Sequence, residues 1–106
     1  MKKPLLLLLL LFVPFMFFSC KKNADTTLPV ITLVGSADVS VNKGTAYVDA
    51  GATALDETDG DITANIQVSN PVDVNTEATY YVTYNVKDKA GNAAVEVKRK
   101  VKVFIF

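Results

Sequence analysis

The sequence predicts an all-β protein, an antiparallel β-sandwich of about seven strands, on three observations. From Leu28 onward no apolar period of 3.6 residues persists. In its place Val, Ile, Thr and Tyr recur in short alternating runs, clearest where Tyr80, Val82, Tyr84 and Val86 oppose Tyr81, Thr83, Asn85 and Lys87. Clusters of Gly, Asn, Asp and Pro punctuate these runs roughly every 8–12 residues, the rhythm of a sandwich and not of a helical or α/β chain.

The first segment stands apart from that pattern. Lys2 and Lys3 precede an apolar run from Leu5 to Phe18, broken only by Pro14. As a helix the run would reach about 21 Å, short of the roughly 30 Å bilayer core, so it reads as a secretory signal. Phe17-Phe18-Ser19-Cys20 resembles the lipobox of bacterial lipoproteins, although Phe17 stands where that motif usually has Leu. The resemblance implies cleavage before Cys20 and acylation of its thiol, a stable anchor when two or more acyl chains are attached. The expected organisation is a signal peptide at 1–19, the lipidated Cys20 with a polar tether over 20–28, and one domain over 29–104. Lys21 follows the Cys where an Asp would retain enterobacterial lipoproteins at the inner membrane, which points to the outer membrane or cell surface.

Without residues 1–20 the hydrophobic share falls from 50% to about 44%, ordinary for a globular domain. The remaining charge is slightly acidic, which argues against nucleic acid as a partner. The chain has no His and one Cys. It therefore lacks the usual neutral-pH general base, and it has neither an internal disulfide nor a Cys-cluster zinc site.

Within the domain, Pro29 to Val34 reads as the first strand, ended by Gly35-Ser36. Val39 and Val41 mark the second, Lys43-Gly44 turns it, and Thr45 to Asp49 continues as strand. Asp49 to Ala52 bends, and Asp56 to Asp61 is a polar loop. Ile62 to Val68 resumes as strand, Asn70-Pro71 breaks it, and Val72 and Val74 form a short further piece. The Tyr80–Val86 strand leads through a hairpin at Asp88 to Asn92 into the last strand. There Lys98, Lys100 and Lys102 face outward and would blunt an exposed edge. Arg99 falls on the inward phase, a misfit that either a bulge or a snorkelling stem would resolve.

Several of these motifs are similar to one known family. Tyr47-Val48-Asp49-Ala50-Gly51-Ala52, Asp56-Glu57-Thr58-Asp59-Gly60-Asp61-Ile62-Thr63 and Tyr80-Tyr81-Val82-Thr83-Tyr84 followed by Asp88-Lys89-Ala90-Gly91-Asn92 resemble the bacterial surface immunoglobulin-like domain. The resemblance covers Pro29 to Val103 and implies an immunoglobulin-like sandwich. Glu77-Ala78 departs from it, since the family usually has Pro-Gly or similar there.

Candidate sites follow from residue chemistry. Asp56, Asp59, Asp61 and Asp88 concentrate oxygen ligands in two loops, as calcium requires, although Asx-turns in open loops use the same residues. Tyr80 has the placement of a tyrosine corner. Tyr81 faces outward and is a candidate ligand contact, with Tyr47 as a partner in a sugar platform. Paired carboxylates on a small domain offer no cleft for two-carboxylate catalysis, so no enzyme is expected. The expected function is an envelope lipoprotein that presents its domain to a glycan or protein. A structural spacer or accessory lipoprotein of an envelope complex is the alternative.

Overall fold

The computed structural model describes residues 25–106. These form two packed sheets. One carries β1 (Val30–Leu33), β3 (Ala52–Asp56) and β4 (Gly60–Asp61) in the order β1-β3-β4. The other carries β2 (Asp38–Asn42), β7 (Val97–Phe104), β6 (Ala78–Asn85) and β5 (Gln67–Ser69) in the order β2-β7-β6-β5. Every pair is antiparallel except β2 and β7, which run parallel. Among the described residues no helix is long and apolar enough to cross a membrane.

The period-2 patterns build the core directly. Val82 and Tyr84 of β6 are fully buried, as are Val101 and Val103 of β7, because both strands put alternate side chains into the space between the sheets. Ile31 and Ala54 reach in from the opposite sheet. Tyr80 is half-buried on the same phase, and its hydroxyl donates to the Thr76 carbonyl at 2.8 Å. That bond back to upstream backbone is the expected tyrosine corner.

Three expectations for local structure need correction. Thr45–Asp49 is irregular, because it carries the chain from the edge of one sheet to the other and cannot stay paired with either. Ile62–Val68 is strand only over β5. A 3-10 turn at Thr63–Asn65 makes the crossing from β4 to β5, and the Thr63 hydroxyl accepts from the Ala54 N–H at 3.0 Å where a ladder bond would otherwise lie. Val72 and Val74 pack against the core from a turn, in which Asp73 accepts from the Asn75 N–H and the Thr76 hydroxyl.

The last strand is not an edge. β7 lies between β2 and β6, so Lys98, Lys100 and Lys102 do not guard a free ladder. They stand on the solvent face of the four-stranded sheet, and Lys100 pairs with Asp38 at 3.7 Å. The β6–β7 register is continuous through Val82 opposite Arg99, so no bulge re-aims Arg99. It does not snorkel either, being 1% exposed.

Candidate functional site

The inward phases of two strands end in carboxylates at the same end of the sandwich. On β3, Ala52 and Ala54 are followed by Asp56, which is 4% exposed. After β6 the phase continues through Val86 to Asp88, 7% exposed. Asp59, in the turn between β3 and β4, and Asp25, just before β1, complete a group in which one oxygen from each carboxylate lies within 4.8 Å of the others. Asp61 lies outside the group. It is exposed, accepts from the Thr63 N–H at 2.9 Å, and is held below the usual carboxylate range by its bonds from Thr63. The fourth member is thus Asp25, from the stretch read as tether. Nothing in its local sequence marked it, because Asn92 brings it in from far along the chain by donating to its carbonyl at 2.9 Å.

Main-chain donors hold one side of each carboxylate. Asp56 Oδ2 accepts from the Thr58 and Asp59 N–H groups at 3.0 and 2.8 Å. Asp59 Oδ2 accepts from the Lys89 N–H at 2.7 Å, which ties the β3–β4 turn to the hairpin. Asp88 accepts from the Asn92 N–H at 2.8 Å and from its side-chain amide at 2.9 Å. Asp25 Oδ1 accepts from Thr27.

A second polar constellation lies between the sheets and was missed from sequence. Arg99 directs all five of its N–H donors to acceptors. Nε donates to the Ser36 carbonyl at 2.8 Å, and Nη1 to Asp49 Oδ1 at 2.9 Å and the Tyr84 hydroxyl at 2.6 Å. Nη2 donates to the carbonyls of Val34 and of Gly51, the latter at 3.2 Å. Tyr84 donates in turn to Asp49 Oδ2, and Tyr47 to Asp49 Oδ1 at 2.5 Å. Gly51 offers its carbonyl to Arg99 and its N–H to Asp49 from a φ of +84°, a conformation that glycine adopts without strain.

The clamp joins β7 of one sheet to the connections that lead out of β1 and into β3 of the other. Burial alone would raise the Asp49 carboxyl. Hydrogen bonds from Tyr47, Tyr84, Arg99 and the Gly51 N–H outweigh it and hold the group at about 2. Burial and the neighbouring Asp49 push the Tyr47 hydroxyl up to about 12, and Tyr84 higher still. The group is fully paired and closed between the sheets, so it is structural in character.

The solvent face of the four-stranded sheet carries Tyr81, 48% exposed, with the Lys98 ammonium 5.8 Å from its ring centroid. Tyr47 does not join it in a platform, since its hydroxyl is committed to Asp49 between the sheets. Farther along β6 on the same face, Asn85 opposes Gln67 of β5. These two border an open groove of about 580 Å³ together with Asn65, Lys87, Val86 and Ala93. Asn85 donates to Glu96 at 3.0 Å, which fixes the amide at the rim. Cys20, the expected lipid site, lies outside the described residues.

Three solved structures resemble this arrangement. The lipoprotein BT2262 from Bacteroides thetaiotaomicron matches with a TM-score of 0.61 and 29% identity, over 71% of this chain and 37% of that one. A Clostridium perfringens ZmpB structure, described as CBM51-2 in complex with GlcNAc and INT domains, matches with a TM-score of 0.57 and 26% identity, over 74% and 17%. A second ZmpB structure, of the M60 catalytic domain with CBM51-1 and CBM51-2, matches with a TM-score of 0.56 and 26% identity, over 72% and 8%. This chain therefore spans well under half the length of each of these proteins. Among curated proteins none matches the chain. Residues 31–103 match the family described as the Ig-like domain of bacterial surface proteins. With two sheets in the sandwich arrangement and that match across most of its length, the chain belongs to the bacterial surface Ig-like domain family.

Proposed function

We propose that this protein is a non-catalytic surface lipoprotein, anchored through acylated Cys20, whose Ig-like domain binds a glycan along the solvent face of β5 and β6. The observation that carries the reading is the amide-lined groove of Asn65, Gln67 and Asn85, opening on the same sheet face as the exposed Tyr81. Side-chain amides both donate and accept, which suits hydroxyl-rich ligands, and an exposed aromatic ring offers a stacking surface. Tyr81 and Asn85 lie four residues apart on one strand, about 13 Å, the span of a short oligosaccharide. The lipobox resemblance at Phe17 to Cys20 supports the anchor, and similarity to a Bacteroides lipoprotein is in keeping with it.

A spacer or accessory role is the second reading. It is favoured by the small share of each structural neighbour that the matching region occupies, as expected of a building block within longer proteins. Glycan-array binding by the full chain in non-ionic detergent, paired with a pull-down from its own envelope, separates the two. The glycan reading expects saturable array signals that fall at least about tenfold in Tyr81→Ala and Asn85→Ala, the loss of about 1.4 kcal/mol per contact. Capture of envelope proteins with a blank array would establish the spacer reading instead.

A further inference from the structure

We propose that Asp25, Asp56, Asp59 and Asp88 form a calcium site that fastens the segment before β1 to the end of the sandwich. The four carboxylates offer oxygens within 4.8 Å of one another. That is close to the spacing of oxygens around one calcium ion, so small side-chain movements bring all four onto a single ion. Proximity of acidic residues alone would not argue for an ion. The decisive observation is that Asp56, only 4% exposed, has its Oδ1 buried without any hydrogen-bond partner, and so has Oδ2 of Asp25.

Buried polar oxygens are almost always bonded, and an orphaned one calls for a partner. Each of these carboxylates has its other oxygen turned to main-chain donors, so the orphans are the atoms left facing their acidic neighbours. No Lys or Arg among the described residues forms an ion pair with the group. A hard divalent cation supplies the missing charge and takes the orphaned oxygens as ligands, with water completing the shell.

The site spans three separate stretches of chain. Asp56 and Asp59 come from the turn after β3, Asp88 from the hairpin after β6, and Asp25 from the approach to β1. Calcium therefore locks the root of the chain leading from Cys20 to the loops at one end of the domain. Sites of this kind in extracellular modules bind with a Kd of about 10⁻⁴–10⁻³ M.

The test is thermal unfolding of the chelator-treated full chain in non-ionic detergent, with calcium, with magnesium and with chelator. Calcium at tenfold its Kd is expected to raise Tm by about 5 °C or more. The rise should vanish in Asp56→Asn and Asp25→Asn and persist in Asp61→Asn, whose carboxylate stands outside the group. Should Asp56→Asn not fold, Asp25→Asn reads the same response from the segment before β1, outside the strands. Coincident melting curves with calcium and chelator would overturn the site. An equal rise in Asp25→Asn would do the same, and an equal rise with magnesium would overturn its assignment to calcium.

Discussion

Asp49→Ala is expected to destabilise the domain by about 3–5 kcal/mol, because it leaves the Arg99 guanidinium buried without its counter-charge. Arg99 is 1% exposed and Asp49 only 12%, so water cannot replace the lost partner. For a domain of this size the loss lowers Tm by at least about 12 °C, a large part of the roughly 5–15 kcal/mol that holds a typical protein folded. Arg99→Met removes the cation but strands Asp49 and the carbonyls of Val34, Ser36 and Gly51. Its cost should be similar. The double variant Asp49→Leu with Arg99→Met should lose clearly less than the two single losses added, since neither charge is then left alone. Urea unfolding of the four proteins checks this, and strictly additive losses would mean that the pair is not a unit.

The same clamp makes the fold sensitive to acid. Asp49 is held at about 2 in the folded protein, below its ordinary 3.8. A depressed carboxyl contributes its stability above the unfolded value and loses it as pH falls through the folded one. About 2 kcal/mol should therefore disappear between pH 4 and pH 2. Tyr47 works in the opposite direction. Its hydroxyl is raised to about 12 from 10.0, so its contribution is complete below pH 10 and lost as pH climbs toward 12. Unfolding free energies measured across pH should show a plateau bounded by those two windows. In Asp49→Asn the acid drop should shrink by about 2 kcal/mol, and an unchanged acid limb would contradict the assignment.

Much of this fold was legible because alternation reports which face is buried. The phase Tyr80, Val82, Tyr84 and the phase Val101, Val103 placed five core residues from period alone. The connections were not legible. Thr45–Asp49 has strand-like composition, yet it crosses between sheets, and propensity carries no information about that. Arg99 was visible as an inward cation in an otherwise apolar phase. What hid its role was distance, since Asp49 lies 50 residues earlier in the sequence. Asp56 and Asp88 carried the same signal in weaker form, each extending an apolar inward phase into a buried carboxylate. Asp61, two residues beyond Asp59, has the same chemistry but the wrong geometry, whereas Asp25 has both and is hidden only by its place in a stretch that reads as tether.

Functional placement rests on presentation at the cell surface, and one measurement reaches it directly. Cells making the full chain can be probed intact with an antibody to the folded domain, before and after brief protease treatment. The account predicts bright labelling of intact cells that protease removes, and release of the domain from the membrane fraction in Cys20→Ala. Labelling that appears only after the envelope is broken would contradict surface presentation. A Cys20→Ala protein that stays in the membrane fraction would contradict the lipid anchor.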